Sequence, residues 1–336
     1  MSKSYPRNVL MVIVNYYMAD ECTRLIQSIY SSSPRSLKQI VCVDNSCDEL
    51  ELAQLKKLQS NLQQHNASAN DILLDVRHNS ANIGFGAAIN AVVEQQLTES
   101  PLLERVLLIN PDVELNSDSI EKLIDGSLEC SDAGVWGGVT LNNVDEADGF
   151  HAWREPTMMR EIAWSLGLAK LFPIKDFVND YSQQHRYFAN LSHYPVDVVS
   201  GCFLLIDAKL WSKLNGFDER FFLYSEEVDL CLRARLLEAS PHIINAAKIK
   251  HARGTASHDL ARMKLLVNSK LLYWQKHHGN LKKRLMHFLY AFGYLWRGCV
   301  FFFIAQRRVQ ASSLIKLSIA LLSKKTLVNN KNEFAE

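Results

Sequence analysis

The sequence predicts an α/β fold: a mainly parallel sheet flanked by helices, with a C-terminal amphipathic helical tail. Three observations predict it. Short continuous apolar runs alternate with segments of helical spacing through the first hundred residues, the pattern of a sheet buried on both faces. Polar residues stand at the ends of those runs, at Asn15, Asp44 and Asp112, where ligands gather in such sheets. Charge is also divided unevenly. The net charge is +1, yet residues 262–336 hold 14 Lys/Arg against 2 Asp/Glu and the rest of the chain 23 against 34.

The elements follow in order. Val9–Val14 is a β-branched apolar run and reads as a buried strand. Asp20 to Tyr30 places Cys22, Leu25, Ile26 and Ile29 at helical spacing. Ile40–Val43 is a second strand, stopping at Asp44-Asn45-Ser46. Residues 49–70 are polar and read as a helix with a loose loop. Ile72–Val76 is a third strand, Phe85–Leu97 a helix, and Val106–Ile109 a fourth strand ending at Asn110-Pro111-Asp112. Beyond it, Val135–Leu141 and Val196–Ile206 read as strands, and residues 142–195 between them as a variable recognition segment. Gly216 to Arg235 runs into a helix, Ile243–Ile249 is a last strand leading to His251, and everything from Ala261 onward reads as helix.

Composition bounds the class. The chain has 336 residues, 48% apolar and 22% charged, which are globular values and suit about two domains. Seven cysteines without a C-x-x-C pair argue for reduced, buried thiols in a cytosolic setting. The amino terminus lacks the apolar length of a signal peptide.

Several motifs could carry chemistry. Asp44 at a strand end could accept hydrogen bonds from a ribose or base, or cap a turn. Asn82-Ile83-Gly84-Phe85-Gly86 brings two glycines to a helix start, which lets backbone approach a phosphate or base; a plain turn fits equally. Asn110-Pro111-Asp112 offers hard oxygen ligands suited to Mg²⁺ or Mn²⁺ on a diphosphate, or an Asx turn. The segment from Gly216 to Arg233 sets five carboxylates among aromatics. Within it Glu226, Asp229 and Arg233 share a helical face and Glu227 points elsewhere. Some of these acids should pair with Arg220 or Arg233, and one poised in a cleft would make a general base. His251 ends a strand and is followed by Arg253, Gly254, Thr255 and Ser257; it could meet a metal or phosphate.

Taken together and in order, VIVNY, VDNS, NIGFGAAIN, LLINPDV, SGCFLLI, GFDERFFLYSEEVDLCLR and KHARGTAS resemble the family 2 inverting glycosyltransferases. Among these the chain is most similar to bacterial rhamnosyltransferase-type enzymes that build O-antigen and other cell-wall glycans. The resemblance covers about residues 8–280. It implies a GT-A fold over residues 1–260, with a nucleotide-sugar half (about 1–115) and an acceptor half (about 116–260). It implies sugar transfer, rhamnose foremost, from a nucleotide diphosphate donor (dTDP-rhamnose or a UDP-sugar) to a lipid-linked saccharide. By position, Asn15 and Asp44 would meet the base and ribose, and Asn82 and Gly84 would line the same pocket. Asn110 opens the block that stands where relatives carry Asp-x-Asp. Asp112 would hold Mg²⁺ or Mn²⁺ on the diphosphate, with His251 beside it. The family's Glu-Asp pair, whose second member is the base, falls on Glu226-Glu227. Glutamate there is one methylene longer, so Glu226 and Asp229 stand as alternatives for the base. Two other readings are a nucleotidyltransferase, although VIVNYYMADE lacks the Gly-rich loop usual there, and a catalytically inactive sugar-binding subunit.

The tail, residues 261–336, lies largely outside the resemblance. Of the 21 residues 285–305, 17 are apolar, but His287, Gly293, Arg297 and Gly298 interrupt them and basic residues flank both ends. An arginine near the centre of a span is costly, and flanking charge at both ends fits no single orientation. A helix lying in an anionic membrane surface on the cytoplasmic side satisfies both facts. Packing on the body or a homodimer interface is the alternative. A tail that is apolar as well as basic argues against nucleic acid as partner.

Overall fold

Alternation along the strands explains both faces of the sheet. In β1 (Val9–Asn15), Val9, Met11 and Ile13 enter one core while Leu10, Val12 and Val14 enter the other, and all seven residues are buried. The computed structural model describes residues 8–65, 72–168, 188–251, 260–304 and 307–323. Arg253, Gly254, Thr255 and Ser257, the middle of the 142–195 segment and the end of the tail lie outside these.

The first half is a parallel block. β1 is followed by α1 (Ala19–Ser32), β2 (Leu37–Asp44), α2 (Glu49–His65), β3 (Leu73–His78), α3 (Phe85–Glu99) and β4 (Arg105–Ile109). The strands stand in the order β3-β2-β1-β4, all parallel. Leu25 and Ile29 of α1 and Leu55 and Leu58 of α2 cover one face; Ala88, Ile89, Val92 and Val93 of α3 cover the other. Because the strands are parallel, their carboxyl ends share one edge, and the register sets Asn15 beside Asp44 and Asp44 beside His78.

The second half is mixed. It runs β5 (Val113–Leu115), α4 (Ser119–Glu129), β6 (Val135–Leu141), β7 (Ala152–Trp153), α5 (Met158–Ser165), β8 (His193–Pro195), β9 (Val198–Val199), β10 (Phe203–Asp207), α6 (Ala208–Leu214), α7 (Glu226–Leu236) and β11 (His242–His251). The sheet continues β4-β10-β6-β11-β5, with β8 also on β11, and β10 is antiparallel to both neighbours. The single strand expected over 196–206 is therefore two. β9 pairs with β7 in a separate ribbon, the chain turns at Ser200-Gly201-Cys202, and β10 enters the main sheet. Backbone bonds fix that turn: Ser200 N–H donates to His151 C=O and Asn110 N–H to Cys202 C=O, both at 3.0 Å. β5 and α4 were not expected; β5 has only three residues, too few to show alternation.

The tail forms α8 (Leu260–Phe302), broken at Gly279 (φ 84°, ψ 171°), and α9 (Arg308–Leu322). One face packs on the body. Trp274, Tyr290 and Tyr294 of α8 join Leu314, Leu317 and Leu321 of α9 and Phe221 in a third core. Gly293 lies so close to α5 that an added Cβ would sit 2.6 Å from Ser165 Cβ, and at Gly298 it would sit 2.7 Å from Ile315. Arg297, which interrupts the apolar run, turns inward, its guanidinium 4.9 Å from the Trp164 ring centroid. The opposite face is open: Leu281 is 82% exposed, Phe288 66% and Phe303 86%, with Leu285, Phe292 and Trp296 between them at helical spacing. Among the described residues no helix is long and apolar enough to cross a membrane. All seven cysteines are free thiols, with Cys47 and Cys299 exposed.

Candidate active site

The parallel edge presents a buried polar network. Asn15 and Asp44 are fully buried. Asn15 Nδ2 donates to Asp44 Oδ1 (2.9 Å) and to Glu51 Oε2 (3.0 Å), while its Oδ1 accepts from Met18 N–H. Asp44 Oδ1 also accepts from the Ser46 amide and hydroxyl, and His78 Nδ1 lies 3.0 Å from Oδ2. Both residues thus brace the strand ends. The network extends through Asn45, whose amide nitrogen donates to Asn82 Oδ1 (2.8 Å) and whose oxygen accepts from Asn79 and Ile83 N–H. Sequence reasoning singled out Asn15, Asp44 and Asn82 and missed His78, Asn45 and Asn79. The run VDNS contained Asn45, and the aligned end of β3 would have pointed to His78.

The glycine block has a packing role that spacing alone did not show. Gly84 has φ +90°, and an added Cβ would stand 2.6 Å from the Phe222 carbonyl oxygen; Phe85 N–H donates to that same oxygen (3.0 Å). One turn on, Asn90 Oδ1 accepts from Phe217 N–H, and Asn90 Nδ2 donates to Phe217 C=O and Glu219 Oε1. NIGFGAAIN and GFDERFF are therefore two halves of one joint.

That joint delivers the acids. Tyr224 (φ 72°) and Ser225 (φ 66°) are two consecutive non-glycine residues in the left-handed region, a strain that clusters at functional sites. Directly after them α7 begins with Glu226 and Glu227. Glu226 is buried; Glu227 is half-buried and lines a cavity of about 150 Å³ between β7, α5, the start of α7 and α8. Oε2 of each is buried without a hydrogen-bond partner. Burial, then the neighbouring Glu227, raises the Glu226 carboxyl well above its ordinary value, and burial lifts Glu227 to about 7. Asp229 is different. Burial alone would raise it, but His277 (2.7 Å), Arg233 (2.7 Å) and Lys276 (2.6 Å) hold it below its ordinary value. Asp229 sits one turn behind the cavity and ties α7 to α8. The expected pairing of acids with Arg220 and Arg233 is present at Asp218 and Asp229.

A second acid and a histidine meet across the sheet. β5 pairs antiparallel with β11 and sets His251 opposite Val113, next to Asp112. His251 Nε2 lies 3.2 Å from Asp112 Oδ1 and is buried without a hydrogen-bond partner. An orphaned imidazole nitrogen facing a carboxylate oxygen is a donor set that fits a divalent cation. Among the described residues no group of three or more His, Cys, Asp or Glu comes together, so further ligands would come from a bound anion and water. Asn110 opens the turn that carries Asp112.

The nine-stranded mixed sheet thus carries a turn with Asp112 after its fourth strand and, further along the chain, the acid pair Glu226–Glu227. A sequence model of glycosyl transferase family 2 matches residues 9–210, and the chain belongs to that family. Over 156 residues it is 30% identical to the N-acetylglucosaminyl-diphospho-decaprenol L-rhamnosyltransferase of Mycobacterium tuberculosis, covering 45% of this chain and 49% of that protein. Over 228 residues it is 27% identical to the low-salt glycan biosynthesis hexosyltransferase Agl10 of Haloferax volcanii, covering 67% and 61%. The chain thus spans about half to three-fifths of the length of these relatives. In fold it is similar to the mannosyltransferase PcManGT of Pyrobaculum calidifontis, solved with GDP-Man and Mn²⁺, with a TM-score of 0.57 at 12% identity, covering 96% of this chain and 89% of that one.

Proposed function

We propose that the chain is an inverting glycosyltransferase that moves a sugar, rhamnose foremost, from a nucleotide diphosphate donor to a hydroxyl of a lipid-linked cell-surface saccharide. The observation that carries this reading is that two separate acidic centres, Asp112–His251 and Glu226–Glu227, both lie near Cys202 at the entry to β10, whose thiol is raised first by burial and then by the charges of Asp112 and Glu227 among others. In this reading residues 1–260 are the catalytic body and 261–336 a tail that attaches it to an anionic membrane surface. The polar network around Asn15, Asp44, Asn82 and Gly84 shapes the nucleotide pocket. Asp112 and His251 hold Mg²⁺ or Mn²⁺, which when bound offsets charge on the leaving diphosphate.

The proton is handled by Glu227. Its unpartnered Oε2 accepts the proton of the acceptor hydroxyl as that oxygen attacks the anomeric carbon. The bond from that carbon to the diphosphate oxygen breaks on the opposite side, and the diphosphate leaves with the electron pair. A carboxyl lifted to about 7 is well matched to such work near neutral pH. One displacement inverts the centre and needs no covalent intermediate.

A panel of UDP-, dTDP- and GDP-sugars with Mg²⁺ or Mn²⁺ tests the reading, by thermal shift for donor binding and by transfer to a lipid-linked acceptor. Glu227→Gln should lower turnover by about 10²–10⁴ with donor binding retained. Asp112→Ala should lose both transfer and the metal-dependent part of the donor shift. Full activity of either variant would overturn its assignment.

A further inference from the structure

The loop before α7 is gripped from both sides. Its carbonyls at Phe222 and Leu223 are adjacent, and opposite elements hold them. Phe85 N–H of α3 donates to the first (3.0 Å), and Ser269 Oγ of α8 donates to the second (2.6 Å). Tyr224 and Ser225, the two left-handed residues, follow directly, and Glu226 and Glu227 come next. Such backbone persists only where its surroundings over-determine it. The body supplies one half of that restraint and the tail helix supplies the other.

Further contacts from α8 fall on the same segment. Arg262, Ser269 and Lys276 recur at a spacing of about two helical turns and so share one face of α8. Arg262 Nε donates to Tyr224 Oη (3.3 Å). Lys276 Nζ spans the two ends of the segment, at 2.7 Å from Asp218 Oδ2 and 2.6 Å from Asp229 Oδ1. His277 Nε2 meets the same Asp229 oxygen at 2.7 Å. Asp229 is fully buried and its two partners on α8 are largely so, which sets these pairs apart from exposed ones of small worth. All of these contacts lie beyond residue 210, where the family match ends.

We infer that the first half of α8 is a clamp on this loop, with Ser269 and Lys276 as positioning residues that hold Glu227 inside its cavity. This rests on Glu227 being the base in the reading above. It adds that the apparatus for proton transfer extends past residue 260 into the tail helix. Both residues act through the loop and the first turn of α7. Released from them, the loop relaxes its left-handed pair, and the Glu227 carboxyl turns out to water. The titratable groups around Glu227 are Glu226 and Tyr224 on its own segment, Arg154 after β7, Arg160 and Glu161 of α5, and Lys270 and Tyr273 of α8. Neither Ser269 nor Lys276 is among them, so substituting either leaves that set unchanged.

A melting-temperature cycle across pH tests the clamp without donor or acceptor. Burial lifts the Glu227 carboxyl to about 7, so its ionisation costs stability as pH rises through that value. Glu227→Gln should therefore raise the melting temperature at pH 8 and change it little at pH 4.5. In a Ser269→Ala or Lys276→Met background that gain should shrink by about half or more, because a carboxyl released to water ionises at little cost. Loss of the Lys276 charge acting directly would enlarge the gain, the opposite sign. A background that lowers the melting temperature but leaves the gain intact would make these residues structural only and overturn the clamp. Transfer should fall about 10–10²-fold in either variant, with the thermal shift by UDP-, dTDP- and GDP-sugars retained, and Lys276→Arg should recover part of the loss. Full turnover in both folded variants would equally overturn it. Should Lys276→Met fail to fold, Ser269→Ala, which alters no charge, decides alone. Undiminished turnover in Glu227→Gln would instead overturn the parent reading. The two failures separate because the melting-temperature cycle reads where Glu227 sits, whatever its role.

Discussion

Glu226 and Glu227 are held against their own ionisation, and this has two readable consequences. Burial raises both carboxyls, Glu227 to about 7 from an ordinary value of 4.5. A raised acid stabilises the fold fully below its unfolded value and loses that contribution as pH rises through its folded value. The pair therefore costs stability as pH rises above the ordinary carboxylate range, Glu227 reaching its full extent above about 7. Glu226→Gln should then raise the melting temperature at pH 8 and change it little at pH 4.5, which scanning fluorimetry across pH can check. Catalysis carries the opposite sign. Glu227 must be ionised to accept a proton, so turnover should climb through about pH 7 and level off above it. A flat profile from pH 5.5 to 8.5 would assign the base elsewhere. Asp229 behaves inversely, because His277, Arg233 and Lys276 hold it low and its contribution is lost only as pH falls.

At the scale of elements, the joint between α3 and the loop before α7 connects the nucleotide side to the acid pair. Asn90→Ala removes three hydrogen bonds and leaves the Phe217 amide and carbonyl without them. Unmet buried groups of this kind cost about 1–3 kcal/mol each. Chemical denaturation should show a loss of about that size, with transfer falling further than donor binding because the disturbed loop leads to Glu227. An unchanged denaturation midpoint would show the joint to be incidental. This joint also marks how far the sequence was legible. Strand ends could be read because parallel strands share an edge, so Asn15 and Asp44 came together as their positions implied, with Asp112 three residues past the end of parallel β4. The reason for Gly84 could not be read, since its close neighbour Phe222 lies far along the chain and no periodicity connects the two. The cavity beside Glu227 was illegible for the same cause: residues 153–164, 224–228 and 266–274 meet only in the folded chain. The turn at 200–202 was hidden because apolar residues flank it on both sides.

For the whole molecule, the tail presents two unlike faces. Its inner face packs on the body, and its outer face keeps a row of exposed apolar side chains flanked by Lys282, Lys283, Arg284, Arg307 and Arg308. Basic residues near an anionic surface contribute about 1 kcal/mol each, and the apolar row adds burial in the interface. Full-length protein should float with anionic vesicles at low salt and be released as salt screens the attraction. Phe288→Glu with Phe292→Glu should abolish flotation at unchanged melting temperature, because both side chains are already exposed. Truncation at Gly279 is a poorer test, as it would strip Met286 and Tyr290 from the core around Trp274. Protein that stays off such vesicles at low salt would leave the outer face to another copy of the chain.

Gly279 has one more consequence. Among the described residues nothing lies within 4 Å of where its Cβ would stand, so only its backbone torsion constrains the site. The segment beyond it is instead fixed in rotational phase by the flush contacts at Gly293 and Gly298. One residue gained or lost between Gly279 and Gly293 turns a helix by about 100°. That would swing bulky neighbours into Ser165 and aim Phe288 and Phe292 sideways. Length variants in this short stretch should be far less tolerated than substitutions of its outer side chains Leu281, Phe288 and Phe292, which are exposed.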